Sequence, residues 1–277
     1  MNRITKTFQR LAQQNRRALV GYITAGDPDF DTSLAILQQA VDAGIDVLEL
    51  GVPFSDPTAD GTVIQLAAAR ALRQGMTVPR VLELAHRIRA AHPETPIVLF
   101  SYYNPLLRYG LERLAKDATA AGVDGFLIVD LPPEEAGEMR PALSGYDLPL
   151  IRLIAPTTPA ERMAAITRDA GGFLYLITRT GVTGVGTLDQ DRIQQLAATL
   201  QQQSPLPVCL GFGISTAADV RQLAGLANGV VVGSALVKIV AEHGAQAAPL
   251  VAAKVRELRA ALDPDIKGAA IIYPAAP

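Results

Sequence analysis

Eight short apolar runs recur along the chain, and segments with helical character follow most of them. The runs cover residues 18–24, 47–52, 97–100, 125–129, 148–153, 173–177, 208–211 and 230–232. They are apolar throughout rather than alternating, as is typical of parallel strands covered on both faces. The helical segments cover residues 31–43, 111–121, 133–143, 159–169, 189–202 and 216–224. This alternation predicts an α/β fold built on a parallel sheet.

Eight strand–helix units favour a closed (β/α)8 barrel, the TIM barrel, over an open doubly wound sheet. A doubly wound sheet would be expected to carry a Gly-x-Gly-x-x-Gly turn after its first strand. The sequence there is Thr24-Ala25-Gly26-Asp27-Pro28 instead. No Ser/Gly-rich linker or block of charge divides the chain, so we expect one barrel domain over residues 1–277. Additional helices are predicted at 78–91 and 247–262, and the tail at about 264–277 is left unassigned.

The first twenty residues contain five basic side chains and no acidic one, which superficially resembles an organelle transit peptide. Ile4, Phe8 and Leu11, however, share one face at helical spacing. We therefore expect an extra amphipathic N-terminal helix over about residues 2–15.

Composition argues against several classes of function. The formal net charge is -2, with no basic face of the kind that binds nucleic acid. Cys209 is the single cysteine, and the three histidines have no metal-ligand spacing. No apolar run reaches the roughly 18 residues of a membrane span. We expect a reduced, cytoplasmic protein without a metal, with no nucleic acid or membrane as partner.

A carboxylate interrupts the second apolar run. Glu49 shares one side of the predicted strand with Val47 and Gly51, because side chains alternate along a strand. If that side faces the barrel interior, burial raises the pKa of Glu49, which could then hold and release a proton near neutral pH. The alternative is a structural ion pair with an arginine. We favour the acid–base role because carboxylates are scarce at strand centres and costly to bury unpaired.

The loop after this strand contains two aspartates, Asp56 and Asp60. Asp-Pro and Asp-Gly are common turn pairs, so each aspartate alone is explained by the loop. Asp60 is the stronger candidate, because a helix is expected to begin just beyond it. Two carboxylates in unlike environments can divide acid and base roles.

Glycines cluster after the last three predicted strands, in Thr183-Gly184, in residues 211–215 and in Gly233-Ser234. Glycine lets backbone approach a ligand, and helix N-termini present free N–H groups to anions. Barrel enzymes often bind phosphate between the loops after strands seven and eight. The cluster therefore predicts a phosphate site, although each glycine alone could simply form a turn.

The lysines restrict the reaction. None of the five lies on a predicted strand, which disfavours a Schiff-base mechanism. With no metal site expected either, carbon–carbon cleavage would need its electron sink inside the substrate.

A set of motifs resembles the tryptophan synthase alpha chain family. The longest is Glu49-Leu50-Gly51-Val52-Pro53-Phe54-Ser55-Asp56-Pro57 with Ala59-Asp60-Gly61. The resemblance continues through residues 102–105, 130–135, 155–158, 179–184, 211–215 and 233–234, and it spans about residues 8–262.

This resemblance implies a (β/α)8 barrel that cleaves indole-3-glycerol phosphate to indole and glyceraldehyde 3-phosphate without a cofactor. It implies that Glu49 is the acid–base residue and that Asp60 holds the ring N–H and stabilises its developing charge. The indole ring would itself be the electron sink. The positions that match substrate-binding residues are Tyr22, Phe100, Tyr102, Val129, Tyr175 and the lid residue Thr183. Those that match phosphate binders are Gly184, Gly213, Gly233 and Ser234.

The resemblance also implies a partner, a beta chain that carries pyridoxal phosphate, in an alpha2beta2 heterotetramer. Pro53, Asp56, Pro57, Asn104 and Pro105 match positions near that interface. The chain departs from the family pattern at Thr58, Thr62, Val129 and Gly186. Three alternatives remain: a stand-alone lyase that releases free indole, another phosphate-binding barrel enzyme such as a sugar-phosphate isomerase, and a non-catalytic activating subunit.

Overall fold

Eight parallel strands close into a barrel in chain order, β1 to β8, in a computed structural model that describes residues 1–178, 190–211 and 213–263. The strands are β1 Ala18–Thr24, β2 Val47–Gly51, β3 Ile97–Ser101, β4 Gly125–Ile128, β5 Leu150–Ile154, β6 Leu174–Ile177, β7 Val208–Gly211 and β8 Gly229–Val232. Each overlaps one of the apolar runs, so the prediction of a (β/α)8 barrel is confirmed. The unassigned tail at 264–277 lies outside the described residues.

Twelve α-helices surround or cap the barrel within the described ranges. They are α1 Arg3–Gln13, α2 Phe30–Asp42, α3 Thr62–Arg73, α4 Val78–Ala91, α5 Tyr103–Tyr109, α6 Leu111–Ala121, α7 Met139–Leu143, α8 Ala160–Asp169, α9 Gln190–Gln203, α10 Ala217–Leu223, α11 Ser234–His243 and α12 Ala247–Leu262. The additional helices predicted at 78–91 and 247–262 are confirmed as α4 and α12. Helices α5 and α11 were not predicted from the sequence.

The helix predicted over residues 133–143 is wrong in its extent. The structure has a single 3-10 turn at Pro133–Glu135 and the five-residue helix α7. Pro141 has no N–H group to donate, so a helix can accommodate it only in its first turn. Gly137, which lies between the two pieces, further disfavours one continuous helix.

Helix α1 covers one end of the barrel. Its apolar face, Ile4, Phe8 and Leu11, is buried in one cluster with residues at the starts of strands, including Ala18 and Val47. The side chain of Asn2 caps the helix by accepting the Ile4 N–H at 2.8 Å. The predicted N-terminal amphipathic helix is therefore confirmed, and it closes the barrel end at which the strands begin.

The strand register determines which side chains share the barrel interior. Tyr22 of β1 pairs in register with Glu49 of β2, and Glu49 pairs with Val98 of β3. Val47 and Val98 belong to the interior cluster, whereas Leu48 packs in the larger cluster between the strands and the surrounding helices. Because side chains alternate along a strand, Glu49 faces the interior, on the same side as Val47. The opposite end of the barrel, where strands terminate, is left open for a site.

No helix in the described ranges is long and apolar enough to cross a membrane. The same residues contain no group of three or more His, Cys, Asp or Glu side chains that could hold a metal ion.

Candidate active site

A cavity of about 380 Å³ lies at the end of the barrel where the strands terminate. Its lining comes from strands β1, β2, β3, β6 and β8 and from the loops that follow β2, β7 and β8. The lining residues are Tyr22, Glu49, Asp60, Gly61, Thr62, Val63, Ile64, Phe100, Tyr175, Gly213, Ile214, Val231, Gly233 and Ser234. Active sites of (β/α)8 barrel enzymes occupy this end of the fold.

Glu49 is more deeply buried than the other titratable side chains that line the cavity, Tyr22, Asp60 and Tyr175. It is 1 % exposed, and neither carboxyl oxygen has a hydrogen-bond partner within the described part of the chain. Burial alone raises the pKa of Glu49 to about 8, because the surroundings disfavour the charged form. Among the described residues it makes no ion pair, so the structural alternative with an arginine has no support there. A carboxyl of this kind can both donate and accept a proton near neutral pH.

Asp60 is the second carboxylate of the cavity, and its surroundings differ. It is 9 % exposed, and its Oδ2 accepts a hydrogen bond from the Tyr102 hydroxyl at 3.2 Å. Burial raises the pKa of Asp60 to about 6, and the Tyr102 hydrogen bond opposes that rise. Near pH 7 Glu49 is therefore mostly protonated and Asp60 mostly ionised. The two carboxyl groups are suited to opposite roles, one as an acid and one as a stabilising anion.

Three aromatic rings form the apolar wall of the cavity. Tyr22 packs its ring edge-on against Phe100, with centroids 5.0 Å apart, and Tyr175 contributes the third ring. Two glycines make room for the tyrosines. A Cβ at Gly51 would lie 2.3 Å from the Tyr22 hydroxyl oxygen, and one at Gly211 would lie 2.3 Å from that of Tyr175. The wall suits a flat aromatic ligand.

One part of the cavity lining has the features of an anion site. Gly233 is the N-cap of α11, whose first residue, Ser234, also lines the cavity. Gly213 adopts a φ of 79°, a backbone conformation that favours glycine. Free N–H groups in the first turn of a helix attract anions. The candidate phosphate binders Gly213, Gly233 and Ser234 are thus together, while Gly184 and the lid residue Thr183 lie outside the described residues.

Two of the candidate substrate-binding residues do not line the cavity. The hydroxyl of Tyr102 is bonded to the Asp60 loop, and its ring lies 5.3 Å from that of Phe54. Val129 packs against the interior cluster and also lines a separate hollow with Asp130. The remaining described candidates, Tyr22, Phe100 and Tyr175, all line the cavity.

The candidate interface residues lie on the same end of the barrel, in the loop after β2 and in α5. Asp56 and Asn104 are exposed, Pro57 and Pro105 are half-buried, and Pro53 is buried. The accessible members of this set are therefore available to a partner.

Sequence reasoning missed part of the lining, namely Gly61, Thr62, Val63, Ile64, Ile214 and Val231. The first four follow Asp60 directly: Gly61 is the N-cap of α3, and the other three form its first turn. They could have been found from the helix that the sequence predicts just beyond Asp60, because the first turn of that helix lies beside the site. Val231 could have been found from the alternation along β8, two residues before Gly233.

The chain is similar to known proteins over nearly its whole length. Residues 8–263 match the family model described as tryptophan synthase alpha chain. A tryptophan synthase alpha chain from Desulfosudis oleivorans is 51% identical over 263 residues, covering 94% of this chain and 99% of that protein. One from Geobacter sulfurreducens is 46% identical, covering 91% and 97%. The crystal structure of the alpha chain from Legionella pneumophila superposes with a TM-score of 0.88 at 37% identity, covering 97% of this chain and all of that one.

Proposed function

Because this chain belongs to the tryptophan synthase alpha chain family, we propose that it is a carbon–carbon lyase that cleaves indole-3-glycerol phosphate to indole and glyceraldehyde 3-phosphate. The observation that carries the proposal is Glu49, a buried carboxyl without a partner among the described residues, in one cavity with Asp60. An unpartnered buried carboxyl is costly, and a proton-transfer role explains why it is there.

The cavity lining supports a definite orientation of this substrate. The indole ring lies among Tyr22, Phe100 and Tyr175, and the phosphate lies at Gly213, Gly233 and Ser234. The glycerol carbons then span the cavity beside Glu49. Because both ends of the substrate are bound, the carbon–carbon bond that breaks is held in a fixed position beside Glu49.

Glu49 and Asp60 carry out the chemistry in two proton transfers. Glu49 first donates its proton to the indole ring carbon that bears the side chain, and the ring nitrogen becomes a cationic iminium. The Asp60 carboxylate accepts a hydrogen bond from the ring N–H and stabilises that positive charge. Glu49, now ionised, removes the proton of the hydroxyl on the adjacent carbon. The carbon–carbon bond breaks as the aldehyde forms, and its electron pair restores the neutral indole ring.

This scheme uses no cofactor in this chain, because the indole ring accepts the electron pair and Glu49 recovers its proton. Pyridoxal phosphate is expected in a partner beta chain, which would join the released indole to serine. We propose that the two chains form an alpha2beta2 heterotetramer in the cytoplasm, with contacts through the accessible candidates Asp56, Pro57, Asn104 and Pro105. We propose that residues 1–277 form one barrel domain.

Purified chain is expected to release indole from indole-3-glycerol phosphate slowly when alone and faster when a beta chain is added. Loops that complete an active site often limit turnover, and partner contact beside the Asp60 loop would favour the closed arrangement. By reciprocity of binding, glycerol 3-phosphate in the alpha site is expected to tighten association of the beta chain. Indole release and a titration of beta chain, with and without glycerol 3-phosphate, test both statements.

The outcomes of that assay separate the alternatives. A stand-alone lyase would be favoured if the beta chain does not change the cleavage rate and glycerol 3-phosphate does not change the affinity for the beta chain. No cleavage in either condition would contradict the proposed reaction. Stimulation of the beta chain without cleavage would indicate a non-catalytic activating subunit.

The pH dependence of kcat/KM is expected to be bell-shaped, with limbs near pH 6 and pH 8 and a maximum near pH 7. The reaction begins with Asp60 ionised, which requires a pH above its pKa of about 6, and with Glu49 protonated, which requires a pH below its pKa of about 8. Initial rates at low substrate from pH 5 to pH 9 measure the profile. In Asp60→Asn the limb near pH 6 should disappear, and its persistence would contradict the assignment.

A further inference from the structure

Tyr102 contacts a catalytic candidate rather than the cavity. It is 4 % exposed, it does not line the cavity, and its hydroxyl bonds the loop that carries Asp60. We propose that Tyr102 is a positioning residue, which orients the Asp60 carboxylate and keeps it ionised, and is not a wall of the substrate pocket. This inference rests on the proposed function for the role of Asp60.

The Tyr102 hydroxyl has its direction of donation set by a second hydrogen bond. Its oxygen accepts the Ala59 N–H at 2.9 Å and its proton is donated to Asp60 Oδ2 at 3.2 Å. A phenol hydroxyl has one proton to donate and lone pairs with which to accept. With a lone pair occupied by Ala59, the proton remains directed at Asp60. The bond therefore favours the ionised carboxylate, which is the form that accepts.

The backbone and ring of Tyr102 are held from several sides. The Ser101 hydroxyl donates to the Tyr102 carbonyl oxygen at 2.8 Å. The next N–H group, that of Tyr103, donates to Asp130 Oδ1 at 2.7 Å. Tyr102 is also the N-cap residue of α5, and its ring packs against Phe54 in the loop after β2. A side chain held in this way can hold a carboxylate in one orientation.

The other groups near Asp60 do not favour its ionised form, so the hydrogen bond from Tyr102 is important. Glu49 and Tyr22 line the same cavity, and both are buried and without positive charge. Within the described residues no Lys or Arg forms an ion pair with Asp60, and Tyr102 is the one side chain that donates to its carboxylate, since Gln65 donates to the Asp60 backbone carbonyl instead. Without that bond, only burial would act on the Asp60 carboxyl, and burial favours the neutral form. A neutral Asp60 could not stabilise a cationic indole ring.

The substitution Tyr102→Phe tests the proposal, with Tyr103→Phe as its matched control. The Phe ring keeps the contact with Phe54 and loses only the hydroxyl. We expect kcat to fall about tenfold, because the carboxylate is no longer aligned, while KM changes less than about threefold. The lower limb of the pH profile is expected to move up by about one pH unit. In the control, the buried Tyr103 hydroxyl has no hydrogen-bond partner among the described residues, so its loss should leave the profile unchanged.

A second measurement works without substrate. The protein is labelled at its aspartate carboxyl carbons, and the Asp60 signal is identified by its absence in Asp60→Asn. A pH titration followed by NMR then gives the pKa of Asp60 directly. We expect it to rise by about one pH unit in Tyr102→Phe and not in Tyr103→Phe. If Tyr102→Phe does not fold, 3-fluorotyrosine at position 102 is used instead. Its more acidic hydroxyl donates more strongly and should lower the pKa of Asp60.

The two measurements fail independently. If the wild-type chain does not cleave the substrate, the proposed function is wrong, and the titration still decides whether Tyr102 controls Asp60. An Asp60 pKa that is the same in all variants would overturn the positioning role. So would a raised KM with unchanged kcat, since that result would make Tyr102 a wall of the substrate pocket.

Discussion

Replacing Glu49 by glutamine is expected to lower the cleavage rate by about 10²–10⁴-fold and to leave substrate binding nearly unchanged. The amide keeps the shape of the side chain and loses the proton that is given to the ring carbon and later recovered from the hydroxyl. Because the same group acts in both steps, no second residue of the cavity compensates for its loss. Single-turnover measurements of indole release, together with the dissociation constant of glycerol 3-phosphate, separate the chemical step from binding.

Stability provides the control for Glu49→Gln. The pKa of Glu49 is raised from 4.5 to about 8 in the folded chain. As pH rises through that interval, the unfolded state ionises and the folded state stays protonated, so wild-type stability falls. Glutamine has no such dependence, and the variant should unfold near neutral pH at a temperature at least equal to that of wild type. A variant that keeps more than about a tenth of the wild-type rate would remove Glu49 from the mechanism.

Replacing Asp60 by asparagine is expected to lower the rate by about 10²–10³-fold, the range found when one electrostatic stabiliser of a transition state is removed. Asparagine can still accept the ring N–H through its oxygen, but it brings no negative charge to the cationic ring. The loss should therefore depend on the substrate. An electron-donating substituent on the indole ring stabilises part of the positive charge itself. The cleavage rate of such a substrate should therefore fall less in Asp60→Asn than the rate of a substrate with an electron-withdrawing substituent.

A series of ring-substituted substrates tests this dependence in wild type and Asp60→Asn. A steeper fall in rate with electron withdrawal in the variant supports charge stabilisation by Asp60. If only the thermal stability changes and the rates do not, Asp60 returns to the role of a turn residue before the α3 helix.

Local patterns were sufficient for most of the barrel. The eight apolar runs indicated the strands, because a strand covered on both faces needs apolar side chains at successive positions. Helical spacing of Ile4, Phe8 and Leu11 indicated the face that α1 buries. The same patterns did not predict the bounds of every helix. Residues 133–143 broke into a turn and a short helix, and α5 and α11 were too short or too closely joined to strands to stand out.

The sequence by itself determined that Glu49 shares one side of β2 with Val47 and Gly51, because the alternation of side chains is a local property of the strand. It also contained the motif from Glu49 to Gly61 on which the family resemblance rests. Only the tertiary structure decided that Glu49 has no partner among the described residues and that Tyr102 bonds Asp60, which lies 42 residues away in the chain. The contact between Tyr102 and Asp60 depends on the parallel pairing of β2 with β3, which brings the loops that follow the two strands together. No periodicity along the chain records the distance between two side chains on different strands.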